Sequence, residues 1–209
     1  MSQITAVSKA ITNLNEAQRK LDLAPATDPS FFPEWQTDLP SLTDAERAAC
    51  DRLKNRYLYY AADGAISEGT IHYMMLSPLL ELLHLYDPPY KVRSEKPVSI
   101  ELDTADLTLE GRIDALVLQD QLWIVLIEAK QYGFSVLQAL PQALTYMTAA
   151  PEGDRPIFGL ITTGEDYLFV KLQARQYAQS YKFTLLSDEQ HNLLRVVQVL
   201  KRILSCIEA

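Results

Sequence analysis

The 209-residue chain is short of several things, and each shortage excludes a class of protein. Its only cysteines are Cys50 and Cys206. Two isolated thiols without metal-ligand spacing rule out a disulfide scaffold and a zinc ribbon, and they suit a reducing cytoplasm. No apolar run reaches the length of a membrane span. The longest, around Leu122–Ile127, has the size of a buried strand, so no membrane partner is expected. The start lacks the basic-then-apolar pattern of a secretory signal. Basic residues are also scarce: 19 Lys and Arg stand against 27 Asp and Glu, a net charge of −8. Proteins that coat nucleic acid depend on a basic excess to displace counterions from phosphates. Any nucleic-acid function here must use a local basic site, a metal ion or a partner.

What remains is a folded chain. Hydrophobic residues make up 48% and charged residues 22%, the balance of a globular domain rather than a disordered one. Ile4, Val7, Ile11, Leu14 and Leu21 recur at helical spacing and predict an amphipathic N-terminal helix. From Ala24 to Leu42, prolines alternate with Phe31, Phe32 and Trp35, which predicts an extended strap packed along the body. Residues 1–42 are therefore read as a helix and strap, and residues 43–209 as the main domain. Thr43 with Glu46 is a capping-box pair opening a helix to about Ala62. Ser67 caps the next helix, in which Pro78 predicts a kink.

The middle of the chain changes period. Residues 90–101, 107–118 and 122–127 read as strands, the second and third forming a hairpin through Asp120-Gln121. The third is apolar on both faces and predicts a central strand covered on both sides. A helix follows at about 135–150, where Pro141 suits the first helical position. Two strands at 157–163 and 166–172 and a last helix from about Ser187 complete the chain. The order predicts an α/β (mixed α+β) fold.

Polar residues interrupt strands that should be apolar. Asp114 lies within Gly111–Val117, and the central strand ends in Glu128-Ala129-Lys130. A carboxylate near a buried sheet is unfavourable unless it is paired or binds a cation. If Asp114 and Glu128 face one another, a divalent cation neutralises both, and two carboxylates with a backbone carbonyl suit magnesium. The bland alternative pairs Glu128 with Lys130 or Arg112 and leaves Asp114 capping the backbone. Glu68 stands in the first turn of its helix, as the dipole favours. Gln142 and Tyr146 share a helix face. His72, one turn after Glu68, is within reach of the site, but an ordinary surface or core histidine is the favoured reading. Arg52, Lys54 and Arg56, and Lys91, Arg93 and Lys96, are candidates for phosphate contacts.

The conjunction of helix Glu, strand Asp, E-x-K and Q-x-x-x-Y resembles the PD-(D/E)XK nuclease superfamily. More closely it is similar to the N-terminal nuclease domain of type I restriction enzyme R subunits, in a stand-alone form. The stretches that carry the likeness are SEGTIHYMMLSPLLELL, GRIDALVLQDQLWIVLIEAKQ, PQALTYM and FGLITTGEDYLFVKL, with DPSFFPEWQTDLPSLTDAE as a leader. Ile113 stands where the family's lettering has Pro, as in many members.

The resemblance implies a restriction-endonuclease-like core, a central mixed sheet flanked by helices, with the site where the second and third strands diverge. It implies that Asp114, Glu128 and the Ala129 carbonyl hold magnesium, or manganese. Lys130 would orient or deprotonate the attacking water, and Glu68 would complete the metal's surroundings. Gln142 and Tyr146 would position substrate. The implied activity is metal-dependent DNA hydrolysis in restriction or defence against foreign DNA, with a homodimer or a restriction-system partner both compatible. A type I R subunit continues into a motor, whereas this chain ends one helix later and has no P-loop, so ATPase activity is not expected. The rival expectation is a nuclease fold that no longer cleaves and serves as a DNA-binding or assembly module.

Overall fold

The computed structural model describes residues 3–102, 107–119, 122–129, 133–151, 155–187 and 192–208, with the backbone alone at residues 3, 122, 124–129 and 208. Among the described residues, nine strands form one mixed sheet: β1 (Gln3–Ala6), β2 (Ala24–Pro25), β3 (Tyr90–Leu102), β4 (Leu107–Gln119), β5 (Leu122–Ala129), β6 (Ile157–Thr162), β7 (Asp166–Gln173), β8 (Gln176–Gln179) and β9 (Phe183–Thr184). The order across the sheet is β1-β4-β5-β6-β7-β8-β2, with β3 also paired to β4 and β9 to β7. β5 is antiparallel to β4 and parallel to β6, which makes it the interior strand its composition predicted.

Helices cover both faces, and the alternation of each strand assigns residues to them. In β7, Tyr167 and Phe169 face one core while Leu168, Val170 and Leu172 face the other. Beneath the first face lie α3 (Asp44–Ala61), α4 (Glu68–Ile71), α5 (Ser77–Leu82) and α7 (Leu193–Glu208). The second face carries α1 (Val7–Ala10), α2 (Leu14–Leu21) and α6 (Leu140–Met147). The mixed sheet flanked by helices is thus the fold the sequence predicted. No helix among the described residues is long and apolar enough to cross a membrane.

The N-terminus departs from its prediction. Instead of one helix, Gln3–Ala6 form β1, which pairs in parallel with Leu107–Glu110 of β4. The helix then restarts at α2, where the Asn13 side chain accepts from the Glu16 amide at 3.0 Å. An open edge on β4 gives those four residues hydrogen bonds that local periodicity could not foresee. The predicted helix at 135–150 is likewise shorter. A 3-10 turn at Val136–Ala139 leads into α6, with Pro141 in its first turn.

The capping box at α3 is present. The Thr43 hydroxyl accepts from the Glu46 amide at 3.2 Å, and the Thr43 amide donates to Glu46 Oε2 at 2.7 Å. Lys201 of α7 donates to the other Glu46 oxygen at 2.5 Å. The Lys201 hydrogen bond, joined by those from Thr43, holds the Glu46 carboxyl below its ordinary value of 4.5. A lowered acid stabilises the fold fully above its unfolded value and loses that contribution as pH falls through its folded one. Replacing Glu46 by Gln should therefore cost about 1 kcal/mol at neutral pH. In urea titrations the gap from the native protein should close below about pH 4.5. A gap constant with pH would refute the assignment.

Pro78 does not act as a simple kink. Lacking an N–H, it cannot serve the Met74 carbonyl four residues earlier. The segment His72–Leu76 becomes a π-helical turn, with the Ser77 amide donating to the His72 carbonyl. The orphaned Met74 carbonyl is taken by Arg56 of α3, whose Nη1 donates at 3.1 Å. Arg56, a candidate for phosphate contact by charge alone, thus holds this turn in place.

Candidate active site

A strand has two hydrogen-bonding edges, and those of β4 are used unequally. One edge pairs with β3 from Tyr90↔Gln119 to Leu102↔Leu107. The other is shared: β5 occupies it from Gln119 to Ala115, and β1 from Glu110 to Leu107. Among the described residues, Gly111–Asp114 between them pair with neither β1 nor β5, so the sheet forks there. The last pair before the fork is Ala115↔Ile127, and one step further stand Asp114 on β4 and Glu128 on β5. This is the divergence of the second and third predicted strands.

The pleat also breaks at this point. Ile113 belongs to the core under α6, yet Ala115 and Val117 belong to the core under α3–α5. In a regular strand, residues two apart share a face, so the alternation slips by one at Asp114. β3 slips at the same level: Tyr90 and Val92 pack on the first core, and Val98 and Leu102 on the second. Glu95 lies between them with φ of +50°, a left-handed conformation uncommon for a non-glycine residue. As a result Asp114 and Ala115 line one cavity together, as do Ser94 and Glu95. The break turns Asp114 toward the helices instead of along the sheet.

There it meets α4. Ser67 caps this helix, accepting from the Thr70 amide at 3.2 Å, and Glu68 is its first residue. His72 follows one turn later, at the start of the π-helical turn. One donor atom from each of Glu68, His72 and Asp114 lies within 4.8 Å of the others. His72 Nε2 stands 3.9 Å from Asp114 Oδ2, longer than a hydrogen bond, with the two side chains 28% and 14% exposed. Donors held about 2.1 Å from a shared cation stand about 3 to 4 Å apart, so this spacing fits a metal site.

Gln142 and Tyr146 lie on the other face. Gln142 Nε2 donates to the Tyr146 hydroxyl at 2.9 Å, and Tyr146 is buried. A β-carbon built on Gly111 would stand 2.5–2.9 Å from the ring and hydroxyl of Tyr146. Any side chain at Gly111 would displace the ring, so glycine is required by this close approach. The predicted pair therefore meets β4 at the opposite end of the fork from Asp114. The backbone of Glu128 and Ala129 runs beside β6, paired with Ile161 and Thr162. Lys130 lies outside the described residues.

A sequence profile of the PD-(D/E)XK nuclease superfamily matches residues 17–207. The chain belongs to this superfamily. Among solved structures, it is similar to a fragment described as an HsdR subunit of a type I restriction enzyme from Vibrio vulnificus YJ016. The two share 16% identity with a TM-score of 0.43, over 68% of this chain and 26% of that one. The chain thus spans about a quarter of that structure's length. No curated protein matches.

PD-(D/E)XK nucleases generally use divalent metals, and the donor set here fits one. Two carboxylates suit a hard cation, and they converge in a half-buried position where two like charges would otherwise repel. His72, which the sequence favoured as an ordinary histidine, joins the cluster. Its signal was present in two places: the four-residue spacing from Glu68, and Pro78, which forces the turn that carries it.

Proposed function

We propose that this PD-(D/E)XK protein is a metal-dependent DNA nuclease acting in restriction or in defence against foreign DNA. The observation that carries the reading is the convergence of Glu68, His72 and Asp114 at the fork of the sheet. In this reading the carboxylates of Asp114 and Glu128 and the Ala129 carbonyl hold the cation, with Glu68 and His72 closing its surroundings. When bound, the cation lowers the pKa of its water and stabilises charge developing on phosphorus. Lys130 orients the attacking water through its ammonium and offsets phosphate charge. Gln142, fixed by Tyr146, positions substrate at the Gly111 end of the fork. Magnesium suits the carboxylates, whereas the His72 imidazole is a softer donor and makes manganese the better fit of the two. Residues 43–209 form the nuclease unit and residues 1–42 its arm, and the cytoplasm is the compartment.

The net charge of −8 favours one rival, a nuclease fold that binds or assembles without cleaving. Supercoiled plasmid incubated with manganese or magnesium separates the two. The native protein should nick or linearise it, and Lys130→Ala should slow cleavage by about 100-fold or more. Cleavage undiminished in the variant would remove Lys130 from the chemistry. No cleavage by the native protein would favour the rival.

A further inference from the structure

The fork opens into a cavity of about 400 Å³ that shares Asp114 and His72 with the cluster and whose other lining residues the proposed hydrolysis does not by itself use. Its lining draws His72, Tyr73 and Leu76 from the π-helical turn, Leu80 from α5, Val92 and Glu95 from β3 and Asp114 from β4, together with Tyr86. Tyr73 is 83% exposed and Tyr86 44%, unusual for aromatic rings with no core to fill. Tyr73 immediately follows His72 on the π-helical turn, so the residue beside the cluster carries the most exposed ring among the described residues. The Tyr86 hydroxyl is fixed by a 2.9 Å hydrogen bond with Ser77, which leaves the ring held in place.

The chemistry of this cavity selects its occupant. Away from a bound cation the carboxylates of Asp114 and Glu95 repel a phosphate, and among the described residues no Lys or Arg lines the cavity to offset them. Its apolar side chains and two rings instead suit a flat, uncharged group. A nucleobase is flat, uncharged and aromatic on both faces, and it stacks on such rings whatever its sequence. A nucleic acid whose scissile phosphate lies at the Glu68–His72–Asp114 cluster brings a neighbouring base to this cavity. In a duplex that base is paired and stacked, and extruding it costs a few kcal/mol. In a single strand it is already free to enter.

We infer that the Tyr73–Tyr86 cavity is a base-docking subsite and that single-stranded DNA is the favoured substrate. This rests on the nuclease reading for the position of the phosphate, but its test does not depend on turnover. Anisotropy of fluorescein-labelled oligo(dT) is measured with the full chain in manganese, using the Lys130→Ala background so that substrate survives. Tyr73→Ala should weaken binding about 10-fold or more, and Tyr73→Phe should restore it, since stacking needs the ring and not the hydroxyl. Tyr86→Ala should act in the same direction. A duplex of matching sequence should bind more weakly than the single strand and respond less to Tyr73→Ala. Because Tyr73 is so exposed, unchanged melting temperatures should exclude a folding defect. Oligo(dT) binding that ignores the loss of Tyr73 overturns the subsite even if plasmid cleavage is intact. Tight duplex binding with the same tyrosine dependence overturns the strand preference. Tyrosine-dependent binding to oligo(dT) without cleavage by the native protein upholds the subsite while the nuclease reading fails.

Discussion

Replacing Asp114 by Asn should abolish hydrolysis, by about 1,000-fold or more, and should also remove the rise in melting temperature that manganese or magnesium gives the native protein. Asn has the size and shape of Asp but no charge, so the change tests the ligand and not the packing. At a metal concentration about 100 times the dissociation constant, binding to the folded state alone adds about 2.7 kcal/mol. For a domain of this size that is roughly 5–10 °C in melting temperature. In the absence of metal the sign is different. Asp114 is half-buried beside Glu68, and removing one of two converging negative charges should leave the metal-free variant as stable as the native protein, or more so. A residue that served only the fold would lose stability in both conditions. Persistence of the metal-induced shift in the variant would place the ion elsewhere. Loss of the shift with cleavage intact would separate metal binding from catalysis and sink the assignment.

The strands that build this site were legible because their patterns are strong. The Ala115–Leu118 part of β4 and most of β5 are apolar and close in sequence, and β4–β5 pairing follows from that proximity. Thr43 and Glu46 announced α3 because a capping box is purely local. The aim of Asp114 was not legible. Strict alternation assigns every strand residue to a face, whereas here the face changes between Ile113 and Ala115, matched by Glu95 on the neighbouring strand. Such a slip depends on two strands bending together, and neither sequence signals it alone. β1 was hidden for a related reason. Ile4 and Val7 fit a helical period, and only the vacant edge of β4 makes a strand of residues 3–6. β8 and β9 are too short for any pattern to declare them.

Glu34 was hidden most completely, since an acid in a proline-rich strap reads as exposed, and its partner is where the largest stability effect is expected. Glu34 Oε1 accepts from Lys171 Nζ at 2.6 Å, with both side chains 9% exposed. Lys171 belongs to β7, an interior strand, and its ammonium lies 5.4 Å from the Phe31 ring centre and 5.6 Å from that of Phe158. The two rings offer their negative faces to the cation, which compensates part of its lost hydration. The carboxylate has less support, because Glu34 Oε2 is buried with no hydrogen-bond partner among the described residues. Lys171→Met should therefore be severe: it leaves an uncompensated charge under Phe31 and the strap, at about 3–5 kcal/mol. That corresponds to roughly 6–20 °C in melting temperature for a chain of this length. Removing both charges is a different experiment. The double variant Glu34→Leu/Lys171→Met replaces a buried pair by apolar side chains of similar size, and such exchanges are often neutral or stabilising. It should melt within a few degrees of the native protein or above it, so the two substitutions should be strongly non-additive. Lys171→Met at native stability would mean that water reaches Glu34 and that the strap is not closed over the sheet. A double variant as damaged as the single one would instead assign the loss to packing around Phe31 and Phe158, with the charges contributing little.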